Sequence, residues 1–127
     1  MEPATEPAKL LLVDDDEDIL MMLRMGLQRK GFEVHSETNP VKALETIPQL
    51  QPKLVMVDLS MPEMHGVEFL KQLASRPNRS EMRVAVGSSS ANPKDREDAL
   101  VAGADLFLSK PYNLKNLANQ LRMLLKE

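Results

Sequence analysis

The sequence contains no cysteine, which excludes disulfides and thiolate metal sites and fits a reducing compartment, the cytoplasm. No apolar run approaches the ~20 residues that a membrane span requires, so membrane insertion is not expected. The first eight residues, Met1-Glu2-Pro3-Ala4-Thr5-Glu6-Pro7-Ala8, lack both the positive n-region and the apolar h-region of a signal peptide and read as a disordered lead-in. Basic residues form no stripe either, and with a net charge of -3 no direct contact with nucleic acid is expected. No internal repeat or low-complexity segment is visible.

What remains is the composition of a globular protein: 127 residues, 43% apolar and 28% charged, enough for one domain with a real core and too few for two comfortable ones. That domain is assigned to residues 9–127. Short apolar runs recur at Leu10-Val13, Leu54-Val57, Val84-Val86 and Leu106-Leu108, each bounded by acids, Gly, Ser or Pro, as strands buried on both faces are. Phe32-Ser36 alternates only loosely and is the least marked strand.

Between the runs lie helical periods. Ile19, Leu20, Leu23 and Leu27 share a face that ends at Gly31, a natural left-handed cap. Asn39-Pro40 and Asn92-Pro93 each read as an N-cap followed by a first helical residue that needs no N–H. Asn113 can cap a last helix whose stripe is Leu114, Leu117, Leu121, Leu124 and Leu125. Arg76-Pro77-Asn78-Arg79-Ser80 reads as a polar loop. Strand and helix thus alternate five times, which predicts an α/β fold with a parallel sheet, right-handed crossovers and helices on both faces.

In a doubly wound sheet, ligands sit beyond the carboxyl ends of the strands. Asp58 closes the run Leu54-Val57, and Leu10-Val13 breaks into Asp14-Asp15-Asp16; Ser88 and Lys110 end two further strand candidates. Three carboxylates at one rim repel: at ~5 Å and an effective dielectric of about 20, each pair costs on the order of 3 kcal/mol. Oxygen donors without cysteine, and with no nearby histidine, suit Mg2+, which expects a phosphate as co-ligand. Lysine and serine add phosphate-binding donors, and an aspartate can itself be the nucleophile of an aspartyl-phosphate. The set points to phosphoryl transfer.

Three segments resemble the receiver domain of two-component response regulators of the chemotaxis-regulator kind. They are Leu11-Leu12-Val13-Asp14-Asp15-Asp16, Val57-Asp58-Leu59-Ser60-Met61-Pro62-Glu63-Met64-His65-Gly66, and Gly103-Ala104-Asp105-Leu106-Phe107-Leu108-Ser109-Lys110-Pro111-Tyr112, and the resemblance runs from about Lys9 to the end. It implies a flavodoxin-like (βα)5 fold with strands in the order 2-1-3-4-5. It also implies a signalling switch rather than an enzyme acting on other substrates. A sensor histidine kinase or phosphotransfer protein would phosphorylate Asp58. Asp15, Asp58 and the backbone carbonyl of Ser60 would bind Mg2+ directly, and Asp14 through water. Ser88 would be the switch hydroxyl, Phe107 the aromatic switch, and Lys110 the phosphate-binding lysine, followed by Pro111 in a cis peptide. The output face would comprise the helix from Asn92-Pro93, the Leu106-Leu108 strand and the helix from Asn113, carrying Lys94, Arg96, Lys115 and Arg122, and would bind a downstream protein or a second copy.

Two positions depart from the usual family pattern. Gly87 stands where a large apolar residue normally precedes the switch hydroxyl, and Ser89 replaces an alanine. A glycine there predicts a loosely held strand end. Ser60 and Ser90 match positions that tune dephosphorylation, and their small size predicts open water access. Asp16, Glu17 and Asp18 are best explained as a helix start, His35 and His65 as surface or loop residues, and the methionines, Met21, Met22 and Met25 among them, as adaptable fillers. Leu11-Leu12-Val13-Asp14-Asp15-Asp16 also fits the Asp-x-Asp of haloacid-dehalogenase phosphohydrolases, although Glu17-Asp18 replaces the usual continuation. A pseudo-receiver that binds partners without phosphorylation is a further alternative, though such domains generally lack part of the acid, serine and lysine set.

Overall fold

The computed structural model describes residues 7–126. The elements run β1 (Lys9–Val13), α1 (Glu17–Arg29), β2 (Glu33–Glu37), α2 (Pro40–Leu50), β3 (Leu54–Asp58), α3 (Gly66–Ala74), a 3-10 turn (Arg79–Glu81), β4 (Arg83–Ser88), α4 (Pro93–Val101), β5 (Leu106–Ser109) and α5 (Leu114–Lys126). Every strand pairing is parallel, and the order is β2-β1-β3-β4-β5. The weakly alternating segment is therefore a real strand, shifted by one residue from Phe32-Ser36. It lies at the edge beside β1, where only one neighbour constrains it.

Strand alternation divides the core in two. Leu10, Leu12, Leu54, Met56, Ala85 and Leu108 face α1 and α5, meeting Leu20, Leu23, Leu27, Leu117, Leu121 and Leu124. Leu11, Val13, Val55, Val57, Val84 and Val86 face the other way, against Ala43, Leu44 and Ile47 of α2, Phe69, Leu70 and Leu73 of α3, and Ala99 of α4. Hence β1, β3 and β4 read as nearly unbroken apolar runs: both of their faces are covered.

The helix starts follow the sequence. The Asn39 side chain accepts from the N–H groups of Val41 and Lys42 at 2.8 and 3.2 Å, and that of Asn92 from Lys94 at 3.0 Å. Asn113 accepts from Asn116 at 3.1 Å. Gly31 follows α1 with φ +97°, a conformation in which a side chain would be strained. His65, expected to have an ordinary loop role, caps α3 by accepting from the N–H of Val67 at 3.2 Å.

Most of the expected lead-in, residues 1–6, lies outside the described residues; at its end the carbonyl of Ala8 accepts from the N–H of Glu33 at 3.0 Å. Two expectations need correction. The polar stretch before β4 is a clamp rather than a plain loop. Arg79 donates to the carbonyls of Met82 and Gly103 at 2.8 and 2.6 Å and to Asp105 at 3.3 Å, joining the turn before β4 to the turn before β5. Asp105 in turn accepts from the N–H of Val84 at 2.8 Å. Arg122, assigned to the α4, β5 and α5 face, turns the other way: its guanidinium lies 5.2 Å from the centre of the Phe32 ring and donates to the carbonyl of Lys30. A cation over an aromatic ring is attractive, which draws Arg122 toward the end of α1.

Asn39→Ala should lower unfolding free energy by about 1 kcal/mol, because two N–H groups at the start of α2 lose their acceptor. Urea unfolding of both proteins checks this, and an unchanged midpoint would contradict the capping role.

Candidate acidic phosphoryl site

β1 and β3 lie side by side and in register from Leu10 opposite Leu54 to Val13 opposite Val57, so the residues that follow, Asp14 and Asp58, meet at the same rim. The turn after β1 separates the consecutive acids by function. Asp16 caps α1, accepting from the N–H groups of Asp18 and Ile19 at 3.0 and 3.2 Å. Asp14 turns inward and accepts from the N–H of Asp16 at 2.9 Å, while Asp15 stays exposed beside it. Carboxylate oxygens of Asp14, Asp15 and Asp58 all lie within 4.8 Å of one another. The structure thus brings together the three acids read from the sequence, and leaves Asp16 as the helix-start residue.

Lys110 reaches this cluster from the end of β5. Its backbone N–H donates to the carbonyl of Ser88 at 2.8 Å, which anchors the residue, and its Nζ stands 3.0 Å from Asp14 and 2.9 Å from Asp58. The Lys110-Pro111 peptide is cis. Asp14 and Asp58 are buried, at 5% and 7% exposure, so water screens this pair poorly and the ammonium is the principal counter-charge within reach.

The electrostatics follow from that packing. Burial raises the Asp58 carboxyl above its ordinary 3.8, and the negative charges of Asp14 and Asp15 add to the rise against the opposing hydrogen bond from Lys110. For Lys110, burial alone would favour the neutral amine, but the hydrogen bonds to Asp58 and Asp14 outweigh it and hold the ammonium above its usual value.

Ser88 ends β4, buried, and its Oγ accepts from the N–H of Ser90 at 3.0 Å. Phe107 is half-buried on β5, opposite Val86 and against the core on the α4 side, the same side of the sheet as Ser88 by alternation. Ser60 is exposed two residues beyond Asp58. The Ser90 hydroxyl is committed to the start of α4, donating to Asp95 at 2.5 Å and accepting from the N–H of Asn92 at 3.1 Å. These bonds order the loop that Gly87 was expected to leave loose.

Two contributors were not assigned from the sequence. Gly66 donates its N–H to the carbonyl of Leu59 at 2.7 Å, and a Cβ there would sit 2.8 Å from the Leu59 Cα and 2.9 Å from the Asp58 carbonyl. Only glycine allows α3 to start so close to the residue that carries the central carboxylate. Tyr112 packs its ring on the α1 and α5 side of the sheet, and its phenol is pushed up by burial and by the charges of Asp14 and Asp58. Its place directly after Lys110-Pro111 was the available signal.

Residues 10–122 match the family model of the response regulator receiver domain. The chain belongs to the response regulator receiver family. It is 33% identical over 126 residues to the transcriptional regulatory protein PrrA of Mycobacterium leprae, covering 99% of this chain and 53% of that protein. Its identity to the response regulator MprA of Mycobacterium sp. strain KMS is 33% over 120 residues, 94% of this chain and 51% of that one. The receiver thus spans about half the length of these curated relatives. Among solved structures, the chemotaxis response regulator CheY4 of Vibrio cholerae superposes with a TM-score of 0.87 at 27% identity, over 93% of this chain and 98% of that one. A putative response regulator of Chloroflexus aurantiacus gives 0.90 at 25% identity, over 95% and 99%. Among the described residues no helix is long and apolar enough to cross a membrane.

A raised Asp58 means that the native state holds this proton more tightly than the unfolded chain. Its contribution to stability is therefore full below 3.8 and is lost as pH rises through the higher folded value. In EDTA, Asp58→Asn should melt above the wild type at neutral pH, and its stability should decline less with pH across that window. Thermal melts over the acid range decide it; a lower melting temperature for Asp58→Asn at neutral pH would show that the Lys110 pairing outweighs burial and repulsion.

Proposed function

We propose that this receiver accepts a phosphoryl group on Asp58 from a phosphohistidine of a sensor kinase or phosphotransfer protein. The observation that carries the reading is one half-buried ammonium, Lys110, set between two buried carboxylates that share a rim with a third. Structural ion pairs are rarely built with such an excess of one sign, because every added carboxylate costs Coulomb energy. A site that takes up cations and phosphoryl oxygens accounts for it.

The donor set is all oxygen, which fits Mg2+. The carboxylates of Asp15 and Asp58, with the backbone carbonyl of Ser60, would hold it directly, and Asp14 through water. When bound, Mg2+ supplies the positive charge that offsets the acids and the developing charge on the phosphoryl oxygens.

The chain's own residues then divide the work. A carboxylate oxygen of Asp58 attacks phosphorus, the P–N bond to the donor imidazole breaks, and the imidazole leaves with the bonding pair. Raised basicity makes Asp58 a better nucleophile than an ordinary exposed aspartate, while Lys110 keeps enough of it ionised. The Lys110 ammonium pairs with a phosphoryl oxygen in place of a carboxylate. The Ser88 hydroxyl donates to another, moving toward Asp58 and vacating space on the α4 side that Phe107 can enter. Phosphorylation thus shifts an equilibrium between two arrangements of the α4, β5 and α5 face. Lys94, Arg96 and Lys115 remain on that face, and its partner is a downstream protein or a second copy. Hydrolysis of the phosphoaspartate returns the switch to rest.

We place this activity in the cytoplasm. A net charge of -3 supports no direct contact with nucleic acid by this segment. The family match favours this reading over a phosphohydrolase acting on other substrates, and absence of turnover with p-nitrophenyl phosphate separates the two. The complete acid, serine and lysine set favours it over a pseudo-receiver.

Acetyl phosphate with Mg2+ should add one base-labile phosphoryl group, detected by mass, and Asp58→Asn should abolish it. Labelling of that variant at the wild-type level would overturn the assignment. Lys110→Ala should retain part of the labelling but lose the conformational response. Amide spectra of the mutant with and without beryllofluoride, a phosphoryl mimic, should coincide on the α4, β5 and α5 face; wild-type-sized shifts there would remove Lys110 from the switch.

A further inference from the structure

The residue before the switch hydroxyl has no side chain, yet the space beside it is filled. A Cβ built on Gly87 would lie 1.6 Å from the Tyr112 hydroxyl oxygen and 2.7 Å from Cζ of the ring, so the phenol occupies the volume that a side chain at that position would take. The direction of this contact follows from strand alternation. Ala85 faces the α1 and α5 side, and so does Gly87 two residues on; Tyr112 packs on that same side. The ring also closes a small cavity of about 10 Å3 lined by Asp14, Asp58, Leu20, Leu23 and Met56, room for no more than one water.

Gly87 is connected to both halves of the site. It lies opposite Asp58 in the β3–β4 register, and its carbonyl accepts from the N–H of Leu59 at 3.0 Å, which fixes the peptide that follows Asp58. Ser88 is its next neighbour, and the Ser88 carbonyl accepts from the backbone N–H of Lys110, two residues before Tyr112. The segment Lys110-Pro111-Tyr112 therefore grips the end of β4 at two consecutive residues, by a backbone hydrogen bond at Ser88 and by the phenol at Gly87.

We propose that Tyr112 is a positioning residue for the phosphoacceptor site: its phenol replaces the side chain that Gly87 lacks and so holds the end of β4, with Ser88, in place against Asp58. This rests on the reading of Asp58 as the phosphoacceptor. The two residues are complementary, since a side chain at position 87 and the inward phenol cannot coexist. Gly87 thus does not loosen the strand end; the prop comes from the loop that also delivers Lys110, so a movement of Lys110 toward a phosphoryl oxygen is passed to the residue beside Ser88.

The test is a double-mutant cycle read by beryllofluoride affinity at saturating Mg2+, with melting temperature followed in parallel. Gly87→Ala expels the phenol, and Tyr112→Leu removes it while ending short of the strand; each should weaken beryllofluoride binding about tenfold, a coupling of the size found between residues in contact. The double variant, in which a methyl group takes the vacated space, should bind no more weakly than the worse single variant. Tyr112→Phe, which keeps the ring and folds most readily, should show a smaller loss in the same direction. Wild-type affinity in Gly87→Ala and Tyr112→Leu despite lower melting temperatures would reduce Tyr112 to a packing residue, and strictly additive losses would break the link between the two positions. Either result leaves the phosphoacceptor reading intact. Failure of the wild type to bind beryllofluoride would remove that reading, and the role of Tyr112 with it.

Discussion

The ammonium of Lys110, 3.0 Å from Asp14 and 2.9 Å from Asp58, is the interaction on which the upper rim of the sheet depends. It sits between two buried carboxylates, with a third close by, and cannot neutralise all of them. Burial holds the Asp58 carboxyl above its ordinary value, and the charges of Asp14 and Asp15 add to the rise against the hydrogen bond from the lysine. Breaking a buried pair by removing one partner strands a charge, which is far more costly than losing the attraction itself. The rim is therefore short of positive charge, an imbalance that a purely structural ion pair would not need.

The placement of these groups is a product of the sheet rather than of local sequence. Asp14 and Asp58 lie 44 positions apart in the chain and meet because β1 and β3 pair in parallel with Leu10 opposite Leu54. Lys110 arrives from the far side of β4, held by the carbonyl of Ser88. Gly66 lets α3 begin against the backbone of Asp58 and Leu59, where any side chain would push the helix away. Each of these constraints acts on backbone, so the geometry of the acids is fixed before their side chains interact.

Much of this was legible in the residue order. Apolar runs that stop at acids, serine and lysine mark buried parallel strands and their ends, because strands covered on both faces have no polar side to show. Asn-Pro pairs mark helix starts for reasons internal to the first turn. What stayed hidden depends on contacts between distant segments. Arg79 reads as one more polar loop residue until Gly103 and Asp105 are beside it. Arg122 belongs by helical period to one face, but the ring of Phe32 and the carbonyl of Lys30 draw it to another. Gly87 reads as a packing defect, because nothing in its neighbourhood along the chain reveals that Tyr112 fills the gap.

The anchoring of α4 differs from that of its neighbours. Ala99 is its one fully buried residue, whereas Val101 is 82% exposed and Leu100 41%. A single methyl group gives little apolar area to lose, so the free energy of detaching this helix lies near the bottom of the local opening scale, far below that of β1 or β3. A helix held so lightly can be re-seated on the sheet at small thermodynamic cost.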